Sequence, residues 1–237
     1  MRGCLFTLIL AAVVVALIVV VGLPAVAAGL LTAGVKAAGL QAEDTTVTVT
    51  ADPPWDLVSL NADRVRVRAT TATFRGLKIG ALDVTFTDVA ILDRSAKSVA
   101  GRLTGVTVPN VAGQPLGLQS ISVAGGGDAV TATTTIAALD AQSLIAAEVS
   151  SATGVSIPAT AVRLAAPNKV VVKSVVTVTA TLGVNNSGDL VANAKGLDPI
   201  VMLRAGEDVP LKFTSVSVDG SGNLVLAGTF AVGLLGS

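Results

Sequence analysis

Arg64-Val65-Arg66-Val67-Arg68 decides the fold, because charged and aliphatic side chains exchange at every step. A period of two is that of a half-buried β-strand, which sends alternate residues to water and to a core. Working outward, Thr46 to Thr50 sets Val47 and Val49 against threonines in the same way. Similar short runs follow at Leu77 to Ile79, Leu82 to Phe86, Val106 to Val108, Ile121 to Val123, Val130 to Ile136, Val162 to Leu164, Val170 to Leu182, Leu211 to Val218 and Leu224 to Val232. Gly, Pro, Asn and Asp bound them, as turns require. The pattern predicts a β-dominated chain of antiparallel strands.

Two turns share one sequence design. Val184-Asn185-Asn186-Ser187-Gly188-Asp189-Leu190-Val191 recurs thirty-four residues later as Val218-Asp219-Gly220-Ser221-Gly222-Asn223-Leu224-Val225. Gly188 and Gly222 are free to take positive φ, and Asn and Asp bond their own backbone, so both stretches read as hairpins. A calcium loop is the rival reading, with Asp219, Ser221 and Asn223 at alternate positions. It lacks the downstream bidentate Glu and the flanking helices of an EF-hand.

A helix interrupts the strands. Asp140 is the expected N-cap and Gly154 the expected terminator, with Leu144, Ile145, Val149 and Ala152 as an apolar stripe for packing on a sheet. Asp52-Pro53-Pro54-Trp55 breaks the chain before the long meander. Trp55 is read as an ordinary packed tryptophan, with an interfacial anchor as the alternative.

No charge falls between Arg2 and Lys36, and fourteen of the nineteen residues from Leu5 to Leu23 are Leu, Ile, Val or Phe. As a helix this segment is about 28 Å long, enough for the roughly 30 Å hydrocarbon layer of a bilayer. It is read as a retained signal anchor or a cleaved signal peptide. Its length exceeds the usual h-region of about 7 to 15 residues, which favours retention. The expected organisation is a leader over 1–28, an apolar helical segment or linker over 29–45, and a β-rich domain over 46–237. That domain would be extracytoplasmic, held at the cell membrane, or secreted or periplasmic if the leader is cut. Cys4 precedes the apolar run and reads as a small leader residue.

The chain has one cysteine, no histidine, and sixteen acidic against sixteen basic residues. Beyond the leader, disulfides, thiolate nucleophiles and Ser-His or Cys-His pairs are therefore excluded. No metal or other cofactor is expected, and the balanced charge argues against a nucleic-acid binder. Asp88 with Asp93, or Glu207 with Asp208, are the carboxylate pairs an enzyme reading would nominate, and each reads more simply as loop or strand-end charge. The expectation is a protein that is not an enzyme.

The stretch Leu60-Asn61-Ala62-Asp63-Arg64-Val65-Arg66-Val67-Arg68-Ala69 is followed by Phe74-Arg75-Gly76-Leu77-Lys78-Ile79-Gly80-Ala81-Leu82-Asp83-Val84-Thr85 and then Asp88-Val89. Together these resemble the central meander of the LmeA-like phospholipid-binding family. The resemblance extends to the layout of most of the chain: leader, meander, a strand running into a helix over Thr131 to Ala152, then further strands. It implies an α+β, β-dominated fold in which a long curved antiparallel meander wraps one or two helices and leaves an apolar groove. It also implies noncovalent binding, or transport, of a phospholipid in the cell envelope. Ten buried methylenes would supply about 8 kcal/mol before ordering costs.

On this reading the acyl-channel candidates are Val65, Val67, Leu82, Val84, Phe86, Leu144, Ile145 and Val149. The head-group candidates are Arg64, Arg66, Arg68, Arg75 and Lys78, since cations attract phosphate and Arg grips it bidentately. Ordinary core and a solvated sheet face are the plain alternatives for the two sets. The competing function is a surface-displayed structural or adhesive β-module with no internal ligand, which threonine-rich runs such as Thr131 to Thr135 and Thr177 to Thr181 also suit.

Overall fold

The computed structural model describes residue 28 and residues 40–74, 77–91, 93, 95–111, 113–126, 129–174, 176–205 and 211–230. The leader and residues 29–39 of the expected linker therefore lie outside the described residues, Ala28 excepted, whereas residues 40–45 of that expected linker begin a strand. No helix among the described residues is long and apolar enough to cross a membrane.

Over the described residues the chain is β-dominated and its strands pair antiparallel, in two sheets. β1 (Leu40–Thr50), β2 (Asn61–Phe74), β3 (Leu77–Ala90), β4 (Ser95–Val111), β5 (Gln114–Gly126) and β6 (Ala129–Ile136) form a meander in sequence order. Helix α1 (Ala138–Thr153) follows, and then β7 (Val162–Ala165), β8 (Lys169–Lys173), β9 (Thr177–Val184), β10 (Leu190–Ala194) and β11 (Ile200–Leu203) make a smaller sheet in the order β11-β10-β9-β8-β7. β12 (Leu211–Val218) and β13 (Leu224–Phe230) return to the large sheet, with β13 beside β6. The two sheets are stitched at the β12 edge, where the Phe213 amide donates to the Gly188 carbonyl (2.9 Å) and the Val218 amide to that of Pro167 (2.6 Å). An edge that would otherwise offer unpaired donors is thus covered by the turns of the smaller sheet.

Some expected strands merge and others divide. Leu77 to Ile79 and Leu82 to Phe86 belong to the single strand β3, whereas Val170 to Leu182 splits into β8 and β9. The merging has a local cause. Along β2 the buried residues are Ala62, Val65, Val67, Ala69 and Ala72, so the alternation slips by one at Asp63–Arg64 and again at Thr70–Thr71. At the second slip Thr71 has φ 48° and, two strands away, Gly105 has φ 60°. Gly80 lies between them in register, and Glu43 of β1 and Gln119 of β5 complete the line. Five strands change face together, so pairing is kept while one face stays aliphatic on both sides of the line.

Both hairpins form as read. β9 pairs with β10 across Asn185–Asp189 and β12 with β13 across Asp219–Asn223, with Gly188 at φ 87° and Gly222 at φ 81°. Asp219 Oδ1 accepts the amides of Ser221 and Asn223, and its Oδ2 accepts the Asn223 side-chain amide. The first turn swaps the two residue types, Asn185 Oδ1 accepting the Asp189 amide.

Three expectations are corrected. Asp140 is not the N-cap: Ala137 occupies that position, and Asp140 sits in the first turn, where a carboxylate favours the helix dipole. Capping comes instead from the β12–β13 turn. Ala152 is exposed, and the buried face of α1 is Ala141, Leu144, Ile145 and Ala146, with Val149 half-buried, because the helix packs against β5, β7 and β11. Trp55 is 65% exposed on the 3-10 turn Pro54–Ser59, since Leu57 is the residue that this short turn buries.

Candidate functional site

The channel candidates fall into two aliphatic clusters on one face of the large sheet. Val65 and Val67 pack with Val49, Ala62 and Leu57, and with partly buried Ala28, Val47, Phe86 and Val89. Val84 is buried opposite Val67 in the β2–β3 register. Leu144 and Ile145 belong to the main core with Val106, Leu116, Leu118 and Ile121, and Val149 packs against it. Leu82 touches both clusters. The structure thus places seven of the eight in two aliphatic clusters that Leu82 bridges, with Val84 in register beside Val67, and not in one chamber.

Arg64, Arg66, Arg68 and Lys78 stand on the other face, as alternation dictates. Arg66 grips Asp83 with two bonds, Nε to Oδ1 at 2.8 Å and Nη2 to Oδ2 at 2.6 Å, while Arg68 Nε reaches Oδ2 at 3.3 Å. The Arg66 hydrogen bonds hold the Asp83 carboxyl below the usual carboxylate range, and the same contact raises the Arg66 guanidinium further. Arg64 and Lys78 are exposed, and Arg75 lies outside the described residues. Two of the cations thus already share a carboxylate. A lipid with chains beneath Val65 would meet these cations only around the rim of the sheet.

A half-open cleft of about 90 Å³ lies where α1 meets the β4–β5 hairpin. Its apolar wall is Val111, Pro115, Leu116, Leu144 and Ala147, and Gln114, Asp140 and Ser143 supply polar groups. The Asp140 carboxylate stands over the backbone of Gly117, where a Cβ would come within 3.2 Å of Oδ2. Of these residues only Leu144 was legible beforehand. The others are brought together by docking a helix on a hairpin some twenty-five residues upstream, a relation no local pattern encodes.

Of the other nominated groups, Asp88 is held in an ion pair. Asp88 pairs with Lys97 at 3.3 Å, Asp93 is exposed, and Glu207 and Asp208 lie outside the described residues. Among the described residues no group of three His, Cys, Asp or Glu side chains gathers in a way that would hold a metal ion.

Known proteins add no neighbour. Searches against protein-family models, curated proteins and solved structures return no match.

Proposed function

We propose that this protein binds phospholipid noncovalently outside the cytoplasm, held at the membrane by its N-terminal apolar segment. The observation that carries this reading is the aliphatic layer running from Val49 and Val65, through Leu82, to Ile79, Val106 and Leu144 on one face of a long meander. In the finer form of the reading, the meander curves along the line of Thr71 and Gly105 and wraps a helix, as in the LmeA-like family that it resembles. An acyl chain would then lie along that layer and open at the cleft beside Leu144. The cleft is smaller than the roughly 300 to 1,000 Å³ of ordinary ligand pockets. Lipid entry therefore requires α1 and the β4–β5 hairpin to part, a motion confined to one helix and one hairpin.

The packing of Val65, Val67, Leu144 and Ile145, all at most 6% exposed, favours a second reading, an exported β-scaffold without internal ligand. One experiment separates the two. The full chain, purified from a bacterial host in mild detergent, is extracted and its lipids are quantified by mass spectrometry. Near-stoichiometric phospholipid that survives extensive washing supports the carrier, whereas lipid lost in proportion to detergent exchange leaves the scaffold.

A further inference from the structure

The molecule is neutral overall, yet its cations are unevenly satisfied. Arg66, Arg68 and Lys97 of the large sheet each pair with a carboxylate. Residues 149–188, which hold the first half of the smaller sheet, contain Arg163, Lys169 and Lys173 and no acidic residue at all.

Register places these cations together. In β7–β9, Val162, Val170, Val172 and Leu182 point to the core, so Arg163, Lys169 and Lys173 share the outer face with Thr177, Thr179 and Thr181. Arg163 pairs with Val171, and Val171 with Thr179, while Lys169 and Lys173 lie two residues to either side of Val171 on β8. Lys195, just past the end of β10, is exposed at the same end as Lys173. None of the four cations pairs with a carboxylate among the described residues.

The end of this face is greasy. The β8–β9 and β10–β11 connections lie at the end of the sheet opposite the turns that join β12, and they carry Val176, 66% exposed, and Leu197, 60% exposed. Each lies two or three residues from a lysine, Lys195 and Lys173 respectively for Leu197 and Val176, and Asp198 is the acidic residue beside Leu197.

We propose that this face and its loop end dock the domain on an anionic bilayer surface, with the cations on lipid phosphates and Val176 and Leu197 entering the interfacial layer. Exposed aliphatics next to lysines suit a membrane interface. A nucleic acid would call for stacking aromatics, and residues 149–205 contain none. The surface is separate from the cleft, so it stands whether or not lipid is held inside.

The test uses the full chain reconstituted in phosphatidylcholine nanodiscs and fluorescent vesicles of phosphatidylcholine alone or with about one third phosphatidylglycerol. Anionic vesicles are captured and neutral ones are not, and capture falls as salt rises from about 0.05 to about 0.3 M. Lys169→Ala with Lys173→Ala weakens capture about thirtyfold, about fivefold for each lysine. Val176→Ser with Leu197→Ser lowers what capture remains at the higher salt. All four positions are exposed, and an unchanged melting temperature shows that the fold is kept. Equal capture of both vesicle types, no response to the double lysine change, or no response to the double apolar change overturns the proposal. Lipid retained inside the purified protein is measured on the same samples, so failure here is distinguishable from failure of the carrier reading.

Discussion

The Asn223 side-chain oxygen accepts the backbone amide of Ala138 at 3.1 Å, so a turn eighty-five residues downstream caps the first turn of α1. The same side chain donates to Asp219 Oδ2 at 3.0 Å, which locks the hairpin and the helix start into one unit. Asn223→Ala is expected to cost about 1 to 2 kcal/mol, the value of a lost cap, read as a lower urea midpoint. Faster hydrogen exchange at Ala138 and Leu139 would locate the loss at the helix start. Unchanged exchange there would show that the cap is not made in solution.

Acid acts on the turns. Asp219 is held below the usual carboxylate range first by the Asn223 side-chain amide, and Asp189 first by the Ala205 amide and then by Asn185. A folded pKa below the unfolded one means stability that is complete above the unfolded value, near 3.9, and lost as pH falls through the folded value. Asp219→Asn therefore lowers the melting temperature at pH 7, and the gap to wild type narrows in the acid range below about pH 4. A gap that is constant with pH would remove the carboxylate from the account.

Gly105 stands at φ 60°, on the line where five strands change face. A Cβ there meets only Gly80, its Cα at 3.5 Å and its N at 3.6 Å, so the cost of a side chain is conformational and not steric. Gly105→Ala is expected to destabilise by about 1 kcal/mol and Gly105→Val by about 2 kcal/mol, since a β-branched residue tolerates the left-handed region least. Equal denaturation midpoints for all three would mean that Gly105 does not hold the left-handed conformation in solution.

The cleft can be filled without burying a charge. Ala147 is half-buried on its wall, and Ala147→Phe is expected to lower co-purified phospholipid several-fold with the melting temperature nearly unchanged. Leu144→Ala enlarges the same wall and costs about 2 to 5 kcal/mol of stability. Lipid content that ignores both changes would separate the cleft from the aliphatic layer.

Arg66 and Asp83 form a half-exposed pair, with about two fifths of each side chain open to water. Solvent screens surface pairs of this kind, so Arg66→Ala shifts the urea midpoint little. It also leaves lipid content unchanged, because the guanidinium faces away from the aliphatic layer. A marked fall in bound lipid in this variant would restore Arg66 as a head-group contact.

The legible parts of the fold are those written in short-range alternation. Arg64 to Arg68 announced the strand and its wet face, and the Asn, Asp and Gly spacing at 185–189 and 219–223 announced both hairpins. Even the change of face had a trace, in the pairs Thr70-Thr71, Thr104-Gly105 and Gln119-Ser120 set between aliphatic residues, although only their alignment across strands gives them meaning.

By itself the sequence determined the strand-rich class, the turns, the chemistry excluded by the want of histidine, and which residues on β2 are aliphatic. Tertiary structure alone decided that Asn223 caps α1, that Asp83 occupies Arg66, that Leu144 meets Pro115 across a cleft, and that Arg163, Lys169 and Lys173 share one face with no carboxylate partner among the described residues. The reason is range. Alternation and turn geometry depend on φ and ψ of neighbouring residues, whereas these partners lie in different elements and meet only when helix and sheets dock.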